Sequence, residues 1–505
     1  MKKFSASFLT LRLILLSSCV FVASCSSPTP SPTPISSPSP QIDPFEIDWD
    51  DRSLFKEGLT STAQPILEGL GDASVYHMDL DIADNFLHVT GIQEVRYTNS
   101  EDVPLDSIYF RLFPNILGGE MIISDVRVDE EITTVNYDLD DSLMIVPLIG
   151  PLQPGDSTII HTEFSVTIPD SLDLNYGMLA YAENVLALAH AYPMVAVYDD
   201  EGWNAEIPPQ DGDITFADMS FYLVRVTAPK ELTLVTSGIE ISHAEAGQDQ
   251  VLTVASGPAR DFYLAASSEY EEISQDFGAF RVRSFAPPDF ASGSEDAVEI
   301  AARAIEIFSE QYTPYPYTEL DIVATPTLAL GIEYPGIVAI TSWTYDTGDS
   351  SARDFREATV AHEVGHQWFY NLIGDDQLDD PWLDESLTQF ATLQYFLDAH
   401  GTQGYEGFLA SLEDRWARVE FAKIPIGLPV EDYDGAEYGA IVYGRGPLFF
   451  VALKEEMGME SFEQFLREYA ETLSWEISTP ETLQALAEKH CDCELDRIFG
   501  EWVFP

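Results

Sequence analysis

Residues 362–390 read HEVGHQWFYNLIGDDQLDDPWLDESLTQF, and this stretch decides the fold assignment. His362 and His366 are four residues apart, so both imidazoles lie on one face of a helix. Glu385 follows nineteen residues after His366. A catalytic zinc takes three protein ligands and keeps one open position, and two histidines with one glutamate form an established set. The pattern therefore predicts one Zn²⁺ per chain on His362, His366 and Glu385, with Glu363 as general base beside the open position.

The alternative for the two histidines alone is a pair of core-facing side chains on an ordinary helix. For Glu385 alone, the alternative is an acidic residue that stabilises a helix N-terminus. The combination of all three residues favours the metal site over either alternative.

The predicted secondary structure changes along the chain from strands to helices. From about 60 to 275, short alternating runs separated by Gly, Pro, Asn or Asp predict many β-strands. After about 290, helical periodicity dominates. The predicted helices are 295–312, 352–370, 385–399, 404–420, 446–457, 459–473 and 480–489, with two strand candidates, LDIVAT and GIVAIT, ahead of the motif helix. We therefore expect a β-rich N-terminal domain at 59–280 and an α+β domain at 281–505.

The N-terminus has the features of an export signal. Lys2, Lys3 and Arg12 precede a short apolar run that is too brief to span a bilayer. Val-Ala-Ser-Cys at 22–25 resembles a bacterial lipobox, which predicts a lipoprotein signal peptide at 1–25 and a lipid anchor on Cys25. A Pro/Ser-rich segment follows, so 26–58 is expected to be a tether. The alternative is an ordinary signal peptide with incidental cysteines.

The charge balance narrows the possible partners. The chain carries 24 Lys+Arg against 86 Asp+Glu, a formal net charge of -62. Recognition of nucleic acid through a basic face is therefore excluded, because phosphate binding needs Lys/Arg clusters. Electrostatic docking on anionic lipid is equally unsupported. The acidity indicates a solvated surface, and adaptation to salt or attraction of cationic substrates are the alternatives.

The cysteines exclude a disulfide framework, since only four occur in the whole chain. Two of them, Cys491 and Cys493, follow His490 near the C-terminus. We expect a pair of turn cysteines near a helix start, and a metal site with His490 is the alternative.

Two further motifs accompany the metal-site stretch. Residues 331–336 read GIEYPG, and residues 443–446 read YGRG. Together, in this order, the motifs resemble the zinc aminopeptidase family that includes membrane alanyl aminopeptidase and leukotriene hydrolase, a gluzincin family. The resemblance covers roughly 60–505 and implies the two-domain form: an all-β, saddle-like N-terminal sandwich followed by an α+β, thermolysin-like catalytic domain.

The resemblance also implies roles for individual residues. Gly331 and Glu333 match the family's exopeptidase motif, whose glutamate holds the substrate's free α-ammonium group. Tyr443 matches a tyrosine that stabilises the oxyanion, and Tyr438 matches a second tyrosine found in some members. Asp384 is expected to orient a metal ligand.

The chain departs from the family pattern at several positions. Tyr334 stands where Asn is usual, and Ile332 where Met is common. Ser386 replaces a Gly that often follows the third ligand, and Arg445 replaces a Lys. None of these changes removes a ligand or the base, but Tyr334 places the shape of the amine subsite in question.

These observations predict an extracytoplasmic zinc metallopeptidase, anchored to the membrane by lipid on Cys25. We expect an aminopeptidase that releases N-terminal residues from oligopeptides with a free N-terminus. One alternative is an endopeptidase, or another specificity, at the same site. The other is a surface binding protein on a peptidase scaffold that has lost its activity.

Overall fold

The computed structural model describes residues 43–199, 201–209 and 212–504. The predicted signal peptide, Cys25 and the predicted tether up to residue 42 lie outside the described residues. Within the described part, no helix combines the length and apolar character needed to cross a bilayer. Pro44–Pro505 forms one compact unit.

The N-terminal half of this unit is almost entirely β-structure, and burial alternates from residue to residue along several of its strands. Strand β2, for example, buries every second residue of HVTGIQEV. The strands of this half are Ser74–Ile82 (β1), His88–Thr98 (β2), Leu105–Arg111 (β3), Glu120–Val128 (β4), Glu131–Ile132 (β5), Asn136–Asp138 (β6), Leu143–Leu152 (β7), Ser157–Thr167 (β8), Leu179–Ala182 (β9), Val185–Ala189 (β10), Met194–Val195 (β11), Tyr198–Asp199 (β12), Gly202–Trp203 (β13), Ser220–Pro229 (β14), Thr233–Thr236 (β15), Ile239–Ala246 (β16), Asp249–Ala259 (β17) and Tyr263–Ser267 (β18).

These strands form one large sheet and three smaller ones. The large sheet has the order β16-β17-β14-β1-β2-β8-β4-β5, and only its β1–β14 pair is parallel. Two four-stranded sheets, β15-β18-β10-β9 and β11-β3-β7-β6, accompany it, together with the β12–β13 hairpin. The inner faces share one hydrophobic core. The predicted β-rich N-terminal region is confirmed.

The predicted tether extended to residue 58, and the structure corrects its end. Phe55 is buried against Phe221 of β14, with ring centroids 4.9 Å apart. Trp49 stacks on His77 of β1 at 3.9 Å. The aromatic residues of this segment contribute apolar area that is stabilised by burial against the sheet. The described part of the predicted tether, residues 43–58, is therefore packed chain and not a spacer.

The C-terminal half contains a five-stranded mixed sheet covered by helices. Its strands are Glu271–Asp276 (β19), Arg281–Ala286 (β20), Glu319–Thr325 (β21), Gly331–Tyr334 (β22) and Ile337–Thr341 (β23), in the order β19-β20-β21-β23-β22. The helices are Ala291–Gln311 (α1), Ser350–Gly365 (α2), Leu387–Ala417 (α3), Gly435–Ala440 (α4), Gly446–Met457 (α5), Met459–Leu473 (α6), Pro480–Cys491 (α7) and Asp496–Trp502 (α8). This arrangement confirms the predicted α+β region.

Strands β21, β22 and β23 of the five-stranded sheet are buried on both faces, whereas β19 is largely exposed. One face packs on the helices, through residues such as Ile322 and Val338. The other face joins the core of the β-rich half, through residues such as Val323 and Tyr334. The boundary expected at 280/281 falls between β19 and β20. These two strands form a hairpin, and β20 pairs with β21. The five-stranded sheet therefore begins before the expected boundary, at Glu271.

Three local expectations change. Helix α2 ends at Gly365 and not at residue 370, because the hydrogen bonds that follow are those of tighter turns, such as the bond from the Gln367 N–H to the Val364 carbonyl. The predicted helices 385–399 and 404–420 are the two arms of α3, which Gly401 separates with φ 66°. Cys491 and Cys493 lie at the end of α7 and form a disulfide, and His490 pairs with Glu468, which leaves no metal site there.

The two halves are joined by one buried cation. Arg260, just after β17, donates hydrogen bonds to the carbonyl oxygens of Ala217 (2.8 Å), Tyr370 (2.6 Å) and Glu476 (2.7 Å). A Cβ at Gly374 would lie 2.2 Å from the Arg260 guanidinium, so only glycine fits beside it. Arg260 thus ties the β-rich half to the segment that follows the motif helix.

We expect Arg260→Met to lower the free energy of unfolding by about 3–5 kcal/mol, because several buried carbonyl groups lose their donor. Urea denaturation measures this change. Arg281→Met is the matched control, since Arg281 pairs with Asp276 at the surface, and it should leave the denaturation midpoint where it is. Equal midpoints for both variants would contradict the role assigned to Arg260.

Candidate active site

Helix α2 delivers the two motif histidines to a buried point. Asp349 caps its N-terminus by accepting the N–H of Ser351 at 2.9 Å. At the other end, the N–H of His366 still donates to the His362 carbonyl, which keeps both rings on one face. His362 Nε2 and His366 Nε2 lie 3.1 Å apart.

Glu385 completes the set from a separate element. It lies in a π-helical turn, Trp382–Ser386, immediately before α3. Its Oε2 is 3.0 Å from His362 Nε2 and 3.6 Å from His366 Nε2. Ligand atoms about 2.0–2.2 Å from a tetrahedral zinc stand about 3.3–3.6 Å from one another. The three donor atoms therefore converge to within a few tenths of an ångström of the spacing around a tetrahedral zinc ion.

A second layer of side chains orients His366. Asp384 Oδ1 accepts a short hydrogen bond from His366 Nδ1, and the Phe369 carbonyl lies 3.0 Å from the same nitrogen. Gln377 in turn donates to Asp384 Oδ2 at 2.6 Å. With its proton on Nδ1, His366 turns the Nε2 lone pair towards the shared point. The structure thus gives Asp384 the orienting position that the sequence suggested.

The electrostatics of the site call for a cation at this point. Burial lowers the pKa of His362 to about 4, so its ring offers a lone pair at neutral pH. Burial alone would also lower the pKa of His366, but the carboxylates of Asp384, Glu333 and Glu385 raise it well above its ordinary value. A divalent ion supplies the positive charge that these carboxylates require.

Glu363 faces the metal point across from strand β22. Its carboxylate lies within 4.8 Å of the carboxylate of Glu333 and of the His366 ring nitrogen. Burial raises the pKa of Glu363 to about 8. A Cβ at Gly331 would lie 2.3 Å from Glu363 Oε1, so β22 approaches the base this closely only because residue 331 is glycine.

Strand β22 is the edge strand of its sheet, and Gln367 holds it against the end of α2. The Gln367 side chain donates to the Tyr334 carbonyl at 3.0 Å and accepts from the N–H of Gly336 at 2.9 Å. Alternation along the strand then turns Glu333 into the site and Tyr334 away from it. Tyr334 stacks on Tyr263 at 4.0 Å, inside the core of the β-rich half.

Two tyrosines line the opposite side of the metal point. Tyr443 lies in a π-helical turn, Ile441–Arg445, and donates a short hydrogen bond to Glu385 Oε1. The ring of Tyr438 is 5.7 Å from that of Tyr443. The hydroxyl of Tyr438 is buried and makes no hydrogen bond within the described residues. Tyr443 therefore contacts a predicted metal ligand directly, whereas Tyr438 packs against Tyr443 and contacts no ligand.

The remaining family departures are structural. Ser386 donates to the Val442 carbonyl at 2.6 Å and so joins the two π-helical turns. Arg445 is buried away from the site and donates to the carbonyl groups of Ile424 and Trp502. Neither residue faces the metal point.

One site residue has no signal in the sequence. Asp213, in the loop before β14, brings a carboxylate within 4.8 Å of those of Glu333 and Asp384. Burial, with Glu385 and Asp384 nearby, raises the pKa of Asp213 well above its ordinary value. No motif or periodicity marks this loop, so only the packing of the two halves reveals it.

Comparison with known proteins finds a family domain and several similar chains. Residues 296–502 match the Peptidase family M1 domain. The chain is 25% identical over 299 residues to aminopeptidase M1-B of Oryza sativa subsp. japonica, covering 56% of this chain and 34% of that protein. It is 22% identical over 388 residues to aminopeptidase 2 of Candida albicans, covering 73% of this chain and 41% of that protein. The chain thus spans well under half the length of these curated relatives.

Solved structures agree on the fold over nearly the whole chain. The M1 zinc metallopeptidase from Deinococcus radiodurans superposes with a TM-score of 0.64 at 20% identity, covering 89% of this chain and 95% of that one. A mutant of the same metallopeptidase, bound to a Tyr-Ser-Ala substrate, matches equally well. The α+β region that carries the convergent ligand set is thus similar to a peptidase family M1 domain over residues 296–502, and the two-part architecture is similar to that of the Deinococcus metallopeptidase.

Proposed function

We propose that this protein is a zinc aminopeptidase acting on oligopeptides. The observation that carries the proposal is the convergence of His362, His366 and Glu385 on one point. Glu363 of helix α2 and Glu333 of strand β22 lie beside it. The aminopeptidase names of the relatives from Oryza sativa and Candida albicans support the same assignment.

The three ligands would hold one Zn²⁺, which lowers the pKa of bound water and polarises a carbonyl group. Glu363 stands next to this position and is suited to accept a proton from the attacking water and to pass it to the leaving amine. Tyr443 is suited to donate its hydroxyl hydrogen to the oxyanion, once substrate draws it from Glu385. Each role uses an atom that already points to the metal centre.

Glu333 supports exopeptidase action. Its buried carboxylate, with that of Asp213, forms a negative pocket that the substrate's α-ammonium group would complement. Tyr334 leaves this pocket unchanged, because its side chain lies in the core of the β-rich half. The departure from the family motif at this position therefore gives no ground for a different specificity.

An endopeptidase with the same metal centre is the competing assignment, and blocking the N-terminus separates the two. A free tetrapeptide should be hydrolysed at its first bond, whereas its N-acetyl form should react at least about 100-fold more slowly, because the ammonium contact is lost. Mass spectrometry of the products measures both rates. Equal rates would contradict the proposal.

Glu363→Gln should bind zinc normally and lower kcat by about 10²–10⁴-fold. Undiminished hydrolysis by this variant would rule out Glu363 as the base and favour neither peptidase.

The zinc assignment is tested by changing the residue that orients His366. Asp384→Asn should weaken zinc binding by about 10–100-fold, because the amide no longer accepts strongly from His366 Nδ1. Competition with a fluorescent chelator measures the affinity. Asp276→Asn, an exposed change far from the site, is the control. Unchanged affinity in Asp384→Asn would contradict the orienting role.

We also propose that the protein is exported and anchored by lipid on Cys25. Val-Ala-Ser-Cys at 22–25, behind a basic and apolar leader, supports this. Cys25→Ser should move the protein from the membrane fraction to the soluble fraction in a bacterial host, as seen by fractionation and immunoblot. Cys19→Ser, a change of the other cysteine in the same leader, should leave it in the membrane. The reverse result would reassign the anchor.

A further inference from the structure

Arg415 is a partly buried cation beside Tyr443. It lies near the end of α3, and its guanidinium carbon is 5.8 Å from the centroid of the Tyr443 ring. A Cβ at Gly444 would lie 2.8 Å from the amide nitrogen of Trp416 and 3.0 Å from the Cβ of Arg415, so α3 approaches the turn that carries Tyr443 this closely only because residue 444 is glycine. The backbone of Arg415 is therefore fixed next to the metal centre.

Among the described residues, the Arg415 guanidinium donates no hydrogen bond and forms no ion pair. Every other described arginine that is not exposed donates to a carboxylate or a carbonyl group, as Arg283, Arg356 and Arg445 do in the same half. The chain has 86 Asp+Glu against 24 Lys+Arg, so acceptors are abundant. Because partly buried cations are normally paired, an arginine without an acceptor in such a chain indicates that its acceptor comes from outside the chain.

The electrostatic effect of Arg415 reaches the predicted metal ligands. Burial and the neighbouring His366 lower the pKa of His362 to about 4, and Arg415 contributes in the same direction. Burial likewise lowers the pKa of Arg415, and Tyr443 and Glu385 oppose that shift. The cation therefore lies within electrostatic range of the groups that would surround a bound substrate.

The two sides of the site carry opposite charge. On one side, the carboxylates of Glu333 and Asp213 lie within 4.8 Å of each other, where they suit an ammonium group and repel a carboxylate. On the side of Tyr443 the charge is positive, with Arg415 and, three residues later on α3, the exposed Arg418. If the α-ammonium group lies at Glu333, the residues that follow the cleaved bond extend away from that negative side. A carboxylate that lies beyond the bond is therefore the group that Arg415 complements.

We propose that Arg415 determines specificity by binding a carboxylate in the part of the substrate that follows the cleaved bond. This inference rests on the proposed aminopeptidase function and names a class of its substrates, peptides with a negative charge close behind that bond. The charge can be the C-terminal carboxylate of a short peptide or the acidic side chain of the residue after the bond. Both offer the same pair of oxygens, which the planar guanidinium fork binds through two parallel hydrogen bonds.

Matched peptides that differ by one charge test the proposal. Ala-Ala-Ala is compared with its C-terminal amide, and Ala-Glu-Ala-amide with Ala-Gln-Ala-amide. In at least one of these two pairs, the zinc-loaded protein should release alanine from the charged peptide with a kcat/KM about tenfold higher. The pair that shows the preference identifies the source of the carboxylate. A third pair, Glu-Ala-Ala-amide and Gln-Ala-Ala-amide, carries the charge before the bond and should show no such preference.

Substitutions of Arg415 should change this ratio of kcat/KM values. In Arg415→Met the ratio should fall to about one, because the cation is lost. In Arg415→Lys it should be about threefold, since an ammonium group keeps the charge but not the planar fork. Arg497→Met is the matched control, because it removes the same charge from an exposed arginine that pairs with Glu456 and Glu501, and it should keep the preference of the unmodified protein.

A ratio near one for both pairs in the unmodified protein, or a ratio that Arg415→Met leaves unchanged, would overturn the inference while the aminopeptidase assignment stands. A preference confined to the third pair would overturn it as well, because the carboxylate would then precede the cleaved bond. If circular dichroism shows that Arg415→Met does not fold, the ratio in Arg415→Lys decides in the same way. Failure of the unmodified protein to release the first residue from any of these peptides would overturn both the inference and the aminopeptidase assignment.

Discussion

A buried concentration of negative charge is the constraint around which this structure is organised. Glu385 lies close to His362 and His366, Glu363 and Glu333 lie close to His366, and Asp213 from the other half of the chain lies close to Glu333 and Asp384. Isolated carboxylates in a protein interior are strongly destabilising. Positive charge is needed to offset them, and the proposed function supplies it as a metal ion at the histidines and a substrate ammonium group at Glu333.

The surrounding elements hold these groups in place against their mutual repulsion. Gln367 fastens the edge strand to the end of the motif helix, and Ser386 joins the two π-helical turns that carry Glu385 and Tyr443. Arg260 links the β-rich half to the segment behind the histidines. Catalytic groups that come from different elements need such fixed supports, because small displacements cost large factors in rate.

The metal ligands were predictable from the sequence because helix geometry alone brings residues 362 and 366 together. Glu385 was predictable from its spacing, although not its π-helical setting, which depends on how Ser386 meets Val442. The packing of Trp49 and Phe55 against the sheet was not predicted. The preceding residues are rich in Pro and Ser, and the predicted tether was carried beyond them to residue 58. Asp213 gave no signal in the sequence. Its place in the site depends on the docking of a loop that lies 149 residues before His362 (362 − 213).

Tyr334 shows how an alternating strand divides the information in a motif. The side chain at position 333 faces the metal site, whereas the side chain at position 334 packs against Tyr263 in the neighbouring core. Glu333 and Tyr334, although adjacent in GIEYPG, are therefore under different constraints. The constraint on Glu333 is the chemistry of the site, and the constraint on Tyr334 is packing in the core. A substitution at 334 in a homologue should accordingly be accompanied by a change at 263, and such paired variation traces the joint between the two halves of the molecule independently of what the enzyme cleaves.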